Sequence, residues 1–391
     1  SLVGSEMCIR DRYYKLKESL SFCIFIQIGM LPLIIYFQYE APAFSFLANV
    51  AAVPLATCAF TLAFLLIFLP YTVFHEAISW MIQGVLWISR QSYGMLTIGH
   101  VPFLWVLLFY FMTGLWIWKK NGQNRHIRIS LAYVIMIILI WIPMARRKSL
   151  AFLDVGQGDC FVADTKSGAI IFDGGSSSED QVGRYRILPY MKYLGYQKIQ
   201  IAVISHMDID HYSGIKELLE MGKIKYLGLP EIPKDETMKK IIGIAKKRGT
   251  TIFYLSRGRQ ITTKDGSLKV LHPQKNSQME KNAASLVMQG KILGYRVLLT
   301  GDVEKEGEEE LLSEELERAD ILKAAHHGSK NSTSNEFLQK VQPKQTVISC
   351  GKQNRYGHPH LETIHRLQTY RTKIYRTDRS GAIIFFKRRD G

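Results

Sequence analysis

Residues 199–211 read IQIAVISHMDIDH, an apolar strand followed by a polar loop. Two histidines and two aspartates, His206, Asp208, Asp210 and His211, stand together in this loop. Side chains on a loop between a strand and a helix can converge on one point, whereas within a strand they alternate between faces. A polar turn with a helix-capping aspartate would explain one carboxylate but not four metal-ligand side chains. The segment therefore predicts a metal centre at the end of a strand.

The sequence from about Leu150 onward alternates short β-rich runs with helical stretches. The predicted strands are Leu150–Val155, Phe161–Ala163, Ala169–Phe172, Ile199–Ser205, Lys269–Leu271, Arg296–Leu299, Ile321–Ala325, Thr346–Ser349 and Gly381–Lys387. The predicted helices are Ile215–Met221, Thr237–Arg248, Glu304–Glu317 and Leu361–Thr369. This mixture predicts a layered α/β domain, which we place at residues 149–391.

Further candidate ligands stand where other predicted strands end. They are Asp173, Asp302, His326 and His327, with His358 and His360 as a weaker addition. An aspartate that ends a strand before a glycine is commonly only a turn residue. Because these residues accompany the histidine and aspartate loop, we interpret them as parts of one site.

The two parts of the chain differ in composition. Residues 1–150 carry 12 Lys and Arg against 5 Asp and Glu, whereas residues 151–391 carry 38 against 29, so the net charge of +16 divides into +7 and +9. A basic soluble domain favours a polyanionic partner such as nucleic acid or anionic lipid. The basic run at residues 239–248 is equally compatible with a solvated helix face. Of the five cysteines, Cys160 and Cys350 alone lie in the soluble part, so neither a disulfide framework nor a cysteine zinc site is predicted.

Residues 13–148 are predicted to form membrane helices, since a bilayer core requires about 17–25 apolar residues per helix. The candidate spans are Leu20–Phe37, Phe46–Leu69 and Val101–Trp118, with Ile129–Ile142 as a shorter fourth. We interpret Ala77–Ile88, which polar residues bound, as a helix at the membrane interface, with a crossing helix as the alternative. Residues 1–12 carry no signal-peptide pattern, and we interpret them as a non-native scar on the tail of a longer protein.

The basic residues give conflicting signals about membrane orientation. The positive-inside rule places the basic patch at residues 119–128, before the last helix, in the cytoplasm. It places the basic residues 146–148, after the same helix, in the cytoplasm as well, and one crossing helix cannot satisfy both. The number of crossings also depends on whether residues 77–97 span the membrane.

Five motifs follow one another along the soluble part. They are FLDVGQGD at 152–159, FDGG at 172–175, SHMDIDH at 205–211, LTGD at 299–302 and HHGS at 326–329. In order and spacing they resemble the metallo-β-lactamase domain of the ComEC-type DNA-internalisation proteins of natural competence, and the upstream helices resemble the end of that family's membrane region. The resemblance implies an α-helical membrane bundle followed by an α/β metallo-β-lactamase fold, an αββα sandwich.

The resemblance also implies two divalent metal ions. Their ligands would be His206, Asp208, Asp210 and His211, with Asp302 as the bridge and His326 or His327 completing the set. Asp208 stands where the superfamily usually has a histidine. Because a carboxylate is a harder ligand than an imidazole, this favours manganese or magnesium over zinc, with zinc still a candidate. A further superfamily histidine has no clear counterpart, and Asn282 or Ser285 occupies its region.

Residues around this centre are expected to orient the reactants and to support the metal ligands. Asp210 is expected to orient the attacking hydroxide, and Asp159 and Asp173 are expected to hold the metal ligands from behind. His358 or His360 would protonate the leaving oxygen. The hydroxyls that would bind a phosphate are those of Ser329, Ser332 and Thr333, for which an ordinary hydroxyl-rich loop is the alternative.

The function that the resemblance implies is DNA uptake across the bacterial cytoplasmic membrane. The multi-pass bundle would contribute a passage for one strand, and a nuclease domain on the extracytoplasmic side would degrade the other, with further competence proteins as partners. Two alternatives stay open, a membrane-tethered phosphodiesterase without a transport role and a non-catalytic DNA-binding scaffold.

Overall fold

The structure is a computed structural model that describes residues 24, 26–42, 45–68, 72–90, 94–118, 134, 147–279, 282–314 and 316–388. The chain divides into two compact units, Ser1–Met144 and Ala145–Gly391. The proposed scar at residues 1–12 lies outside the described residues, as does the predicted helix Ile129–Ile142 except for Val134.

The amino-terminal unit is helical. Its elements are α1 Ile26–Gln38, β1 Glu40–Pro42, α2 Ser45–Leu65, α3 Thr72–Arg90, β2 Met95–Thr97 and α4 Phe103–Trp118. Three predicted spans therefore correspond to α1, α2 and α4, and the predicted interfacial segment lies within α3. Strands β1 and β2 pair antiparallel, and the hydroxyl of Tyr110 donates to the carbonyl of Gly29 at 2.8 Å.

Among the described residues, α2 is the one helix long and apolar enough to cross a membrane, over Ala48–Leu65. The apolar runs of α1 and α4 are shorter than the length of about 17–25 residues that a bilayer core requires. A bundle of several membrane-spanning helices therefore stays a prediction.

The second unit consists of two seven-stranded sheets with helices outside them. The strands are β3 Ser149–Phe152, β4 Phe161–Thr165, β5 Gly168–Phe172, β6 Ile199–Val203, β7 Ile224–Pro230, β8 Thr251–Leu255, β9 Gln260–Thr263, β10 Gly266–His272, β11 Val287–Ile292, β12 Tyr295–Leu299, β13 Ile321–Lys323, β14 Gln345–Ile348, β15 Lys373–Arg376 and β16 Ile383–Phe386. The first sheet has the order β16-β3-β4-β5-β6-β7-β8, and the second β15-β14-β13-β12-β11-β10-β9. The helices are α5 Leu188–Tyr193, α6 Ile209–Glu220, α7 Glu236–Lys247, α8 Lys305–Leu312, α9 Asn335–Val341, α10 Leu361–Thr369 and α11 Thr377–Ser380.

Three apolar layers hold this unit together. The central layer joins the inner faces of both sheets and includes Phe152, Phe172 and Leu299. An outer layer packs α5, α6 and α7 on the first sheet, and another packs α8, α9 and α10 on the second. This arrangement is an αββα sandwich, and the predicted fold of the soluble domain is confirmed.

The predicted elements of the soluble domain are all present, but their bounds differ. Helix α6 begins at Ile209 rather than Ile215, so Asp210 and His211 lie in its first turn and not in a loop. Asp208 occupies the position before this helix in an extended conformation, and its side chain makes no capping hydrogen bond with the described residues. The predicted helix Glu304–Glu317 is shorter, since α8 ends at Leu312.

Candidate metal centre

The predicted ligands meet at one edge of the sandwich. Asp173 follows β5 and the HMDIDH motif follows β6 in the first sheet, whereas Asp302 follows β12 and the paired histidines follow β13 in the second. Because β5, β6, β12 and β13 lie side by side as parallel pairs within their sheets, their carboxyl ends bring these loops together. The strand-end positions predicted from the sequence therefore converge in space.

The FDGG loop and the start of α6 approach each other so closely that residue 175 has to be glycine. A Cβ atom on Gly175 would lie 2.5 Å from both the carbonyl carbon of Asp210 and the nitrogen of His211. Next to it, the amide of Gly174 donates to the carbonyl of His211 at 2.8 Å. The FDGG motif thus positions the first turn of α6, which carries two predicted ligands.

Asp302 lies at the centre of the predicted ligands. Its Oδ2 lies 3.1 Å from Nε2 of His211 and 3.3 Å from Nε2 of His327, and Oδ2 of Asp210 lies 3.3 Å from the same nitrogen of His327. His211, Asp302 and His327 are buried. Two carboxylates and two imidazoles therefore face one small volume.

The Nδ1 atoms of His211 and His327, on the side of each ring away from Nε2, contact other residues of the protein. Nδ1 of His211 lies 3.0 Å from Oδ2 of Asp173, and Oδ1 of Asp173 accepts a hydrogen bond from the amide of Ser205 at 2.7 Å. Nδ1 of His327 lies 2.9 Å from the carbonyl of Ser349. Such contacts place the ring proton on Nδ1 and leave Nε2 as a ligand. Asp173 therefore contacts the Nδ1 side of His211.

The Nε2 atoms of His206, His211 and His327 are buried and have no hydrogen-bond partner among the described residues. Buried polar atoms are normally paired, so three unpaired nitrogens next to carboxylates need a physical explanation. Imidazole and carboxylate are the ligands of zinc, manganese and related divalent ions. These residues fit a divalent metal.

Asp159 and Lys323 lie behind the centre. The ligand atoms of Asp159, His211, Asp302 and His327 all lie within 4.8 Å of one another. Yet the carboxylate of Asp159 is 3.7 Å and 3.6 Å from the Nδ1 atoms of His211 and His327, on the side away from Asp302 Oδ2. It pairs there with the ammonium of Lys323. The contact with Lys323 is compatible with the predicted supporting role of Asp159, which stays a prediction.

Sequence reasoning missed Lys323. This lysine is 4% exposed, and its Nζ donates to the carbonyl of Gly301 at 2.8 Å. The signal was present in the sequence, because a lysine interrupts the otherwise apolar strand β13. A charged residue inside a buried strand requires a partner, which the candidate site supplies.

His206 and Asp208 form a second, more open group. Nε2 of His206 lies 3.6 Å from Oδ2 of Asp208. Behind His206, Nδ1 lies 3.0 Å from the hydroxyl of Ser205 and 3.3 Å from that of Ser285. Ser285 therefore orients His206 from behind. The amide of Asn282, by contrast, donates to Oε1 of Glu304 at 3.4 Å.

The paired histidines diverge from one another. Both have a left-handed backbone, with φ of 48° at His326 and 53° at His327, a conformation that costs about 1–3 kcal/mol at a residue other than glycine. His327 is buried against Asp302, whereas Nε2 of His326 lies 3.9 Å from Asp302 and its Nδ1 lies 3.0 Å from Glu304. The tighter contacts favour His327 as the ligand in the Asp302 group, with His326 at the rim.

A cleft of about 310 Å³ opens onto the centre. Its lining residues are Gln157, Asp208, Ile209, Asp210, Asp302, His326, His327, Tyr356 and His358. His358 therefore lines the cleft. Nδ1 of His360 instead accepts a hydrogen bond from the amide of Lys330 at 3.2 Å, so the structure places this residue in a loop contact.

The structure does not bring the three predicted phosphate-binding hydroxyls to the lining of this cleft, as far as the described residues go. The hydroxyl of Thr333 accepts from the amide of Ala325 at 3.2 Å, and that of Ser329 accepts from the amide of Asn331 at 3.3 Å. Ser332 is buried, with no partner for its hydroxyl among the described residues. These contacts correspond to the alternative interpretation, a hydroxyl-rich structural loop.

When no metal is bound, the charged groups of the centre shift the pKa values of their neighbours. Burial opposes protonation of His327, but the charges of Asp302 and Asp159 outweigh it and raise the pKa to about 10. Burial opposes ionisation of Asp210, yet the nearby imidazoles of His327 and His211 outweigh it and bring its pKa to about 2. At His358, burial and then the charges of His327 and His326 lower the pKa to about 4. At neutral pH the carboxylate of Asp210 is therefore ionised and His358 is neutral.

Known proteins match both parts of the chain. A family model described as the metallo-beta-lactamase superfamily matches residues 153–352, and one described as competence protein matches residues 6–123. The chain is 31% identical to "ComE operon protein 3" of Bacillus subtilis, in an alignment that covers 100% of this chain and 54% of that protein. It is 30% identical to "Competence protein ComA" of Neisseria gonorrhoeae, over 61% of this chain and 32% of that protein. The chain thus spans about half the length of the Bacillus relative.

Among solved structures, the metallo-beta-lactamase fold protein YhfI of Bacillus subtilis aligns with a TM-score of 0.43 and 13% identity. That alignment covers 60% of this chain and 99% of the other.

Proposed function

Because this chain belongs to the metallo-beta-lactamase superfamily and joins that domain to a competence-protein region, we propose that it acts in DNA uptake and that its soluble domain is a metal-dependent nuclease. The observation that carries the catalytic part is the set of three buried, unpartnered Nε2 atoms beside the carboxylates of the cleft, counted over the described residues. The names of the competence relatives support the biological part.

The residues divide into two ligand groups. Asp210, His211, Asp302 and His327 would hold one divalent ion, and His206 with Asp208 would hold a second, with Asp302 shared between them. When bound, such ions stabilise negative charge on a phosphodiester and supply a strong oxygen nucleophile at neutral pH. Manganese is our first expectation, with zinc and magnesium as alternatives, since the ligands mix imidazole with carboxylate.

The chain's own residues then orient the reactants. Asp210 lines the cleft and is ionised at neutral pH, so its carboxylate can accept a hydrogen bond from the attacking water and align it. Asp173 holds the His211 ring so that Nε2 faces the cleft. His358 faces the same cleft as a neutral imidazole, which can donate one hydrogen bond to the leaving oxygen.

The membrane part of the proposal rests on the family and on composition. We place the chain in the bacterial cytoplasmic membrane through several helices, of which α2 has the length and apolarity of a span. The helices would contribute to a passage for one DNA strand. The hydrolase domain would act outside the cytoplasm on the other strand, beside further competence proteins.

The test is cleavage of single- and double-stranded DNA by the detergent-solubilised full chain with Mn²⁺, Zn²⁺ or Mg²⁺. Asp210→Ala and His211→Ala should abolish metal-dependent cleavage, whereas His365→Ala, at an exposed histidine of α10, should not change it. Hydrolysis of bis(p-nitrophenyl) phosphate without DNA cleavage would instead indicate a small-molecule phosphodiesterase. DNA binding without hydrolysis of either substrate would indicate a scaffold.

A further inference from the structure

The loop between β14 and α10 presents a stacked series of side chains at the cleft. The guanidinium carbon of Arg355 lies 4.8 Å from the centre of the Tyr356 ring, and its Nη2 donates to the tyrosine hydroxyl at 2.6 Å. The Tyr356 ring stacks on that of His358, with 5.7 Å between ring centres and 20° between planes. A cation, a phenol and an imidazole therefore lie in series.

This loop is braced from within. Oδ1 of Asn354 accepts from the amide of His358 at 3.0 Å, and Nδ2 of Asn354 donates to the carbonyls of Gly351 at 2.9 Å and His358 at 2.6 Å. One asparagine thus closes the segment that carries Tyr356. The ring is presented by a fixed loop, which favours binding because less side-chain freedom is lost.

Tyr356 is 43% exposed and lines the same cleft as Asp210, Asp302 and His327. From the first sheet, Ile209 lines this cleft as well and is 54% exposed. The catalytic carboxylates do not require either apolar surface. A cleft of about 310 Å³ lies at the lower end of the range of about 300–1,000 Å³ for small-molecule sites, which suits about one nucleotide.

We propose that the exposed part of Tyr356, whose ring is held by Arg355 and His358, is a subsite against which the nucleobase next to the scissile phosphate packs, with Ile209 lining the same cleft. The inference rests on the proposed nuclease function and names the part of the substrate that the cleft recognises besides phosphate. Aromatic rings with adjacent arginines bind nucleobases of any identity, because every base has a π face. The subsite would therefore prefer nucleic acid over phosphodiesters without a base, and would do so without strong sequence preference.

The test compares two substrates of equal length, oligothymidylate and an oligomer in which every base is replaced by tetrahydrofuran. With the full chain and Mn²⁺, Tyr356→Ala should raise KM for oligothymidylate about 5- to 150-fold, which corresponds to about 1–3 kcal/mol of lost stacking, with a smaller change in kcat. KM for the baseless oligomer should stay the same in both proteins. Tyr356→Phe, which keeps the ring, should recover most of the affinity.

Tyr185→Ala is the matched control. Tyr185 is an exposed tyrosine between Arg184 and Arg186 that is not part of the lining of the cleft within the described structure. An unchanged KM in Tyr356→Ala, or an equal loss on both substrates, would overturn the subsite. Failure of the nuclease proposal is seen separately, as absence of cleavage by the unchanged protein. The subsite is then tested by fluorescence anisotropy: Tyr356→Ala should weaken the binding of labelled oligothymidylate and leave the binding of the labelled baseless oligomer unchanged.

Discussion

Lys323 and Asp302 meet behind the candidate metal centre, with Nζ of the lysine 3.4 Å from Oδ1 of the carboxylate. The other oxygen of Asp302, Oδ2, lies 3.1 Å from Nε2 of His211. Oδ1 of Asp302 thus faces the buried ammonium of Lys323, and Oδ2 faces the volume that we assign to a metal. Because Lys323 also pairs with Asp159, it compensates two buried carboxylates at once.

Lys323→Met should destabilise the metal-free protein strongly, since it leaves Asp159 and Asp302 buried without a cation. Loss of one partner of a buried ion pair costs about 3–5 kcal/mol. Added Mn²⁺ or Zn²⁺ should restore part of the loss, because a divalent ion supplies positive charge to Asp302. The measurement is chemical denaturation with and without metal. The control is Lys216→Met, which removes an exposed lysine paired with the exposed Glu220 and should cost less than about 1 kcal/mol. Equal losses in both variants would contradict this role.

Metal affinity should rise with pH. The pKa of His327 is raised to about 10 in the metal-free protein, because the charges of Asp302 and Asp159 outweigh burial, and the pKa of His211 is also raised well above its usual value. Both rings must lose a proton before they can bind a metal. Between pH 6 and 9 the dissociation constant should therefore fall by at least about tenfold per pH unit, with protons released to buffer.

Isothermal titration calorimetry in buffers of different ionisation enthalpy measures this release. A pH-independent affinity with no proton release would exclude the two histidines as ligands. The free energy of unfolding of the metal-free protein should instead fall as the pH rises. The contribution of protonated His327 to the free energy of unfolding is fully present below its unfolded pKa of about 6.5 and is lost as pH rises toward 10.

The sequence predicted which residues come together in space, because each candidate ligand follows a strand and the carboxyl ends of neighbouring parallel strands meet; their role as ligands stays a prediction. It could not predict how the imidazoles are oriented, since that depends on long-range contacts. Nδ1 of His211 meets Asp173, and Nδ1 of His327 meets the carbonyl of Ser349. Nor did it identify Lys323 as part of the site, because the partners of this lysine, Asp159 and Asp302, come from distant segments of the chain.

Five of the described strands in the soluble domain, β7, β8, β9, β11 and β15, were not predicted, and two of them have little β propensity of their own. β11, at Val287–Ile292, contains Gln289 and Gly290, and β9, at Gln260–Thr263, is short and largely polar. Their pairing with neighbouring strands stabilises them more than their own β propensity does.

Gly175→Ala should abolish metal binding and destabilise the domain by about 1–3 kcal/mol, as an overpacked core does. The new Cβ would lie 2.5 Å from the backbone of Asp210 and His211, so the first turn of α6 would have to move. Gly243→Ala is the control, because Gly243 lies in α7 and a Cβ there meets no described atom within 4 Å. That change should stabilise the helix by up to about 1 kcal/mol. Thermal unfolding and metal titration measure both effects, and intact metal binding in Gly175→Ala would refute the packing argument.

Asp208→His should shift the metal preference of the site toward zinc. Asp208 lines the cleft, and its Oδ2 lies 3.6 Å from Nε2 of His206, so its side chain is placed to complete the more open ligand group. Histidine should be tolerated at this position, because Asp208 precedes α6 in an extended conformation and its side chain is 39% exposed. Replacing a hard oxygen ligand by an imidazole should raise the ratio of zinc to manganese affinity by about tenfold or more. Competition with a fluorescent chelator gives both dissociation constants, and Asp180→His, at an exposed loop residue, controls for the added histidine. If the ratio stays unchanged in Asp208→His, this carboxylate does not bind metal, and the second ligand group would reduce to His206 and the shared Asp302.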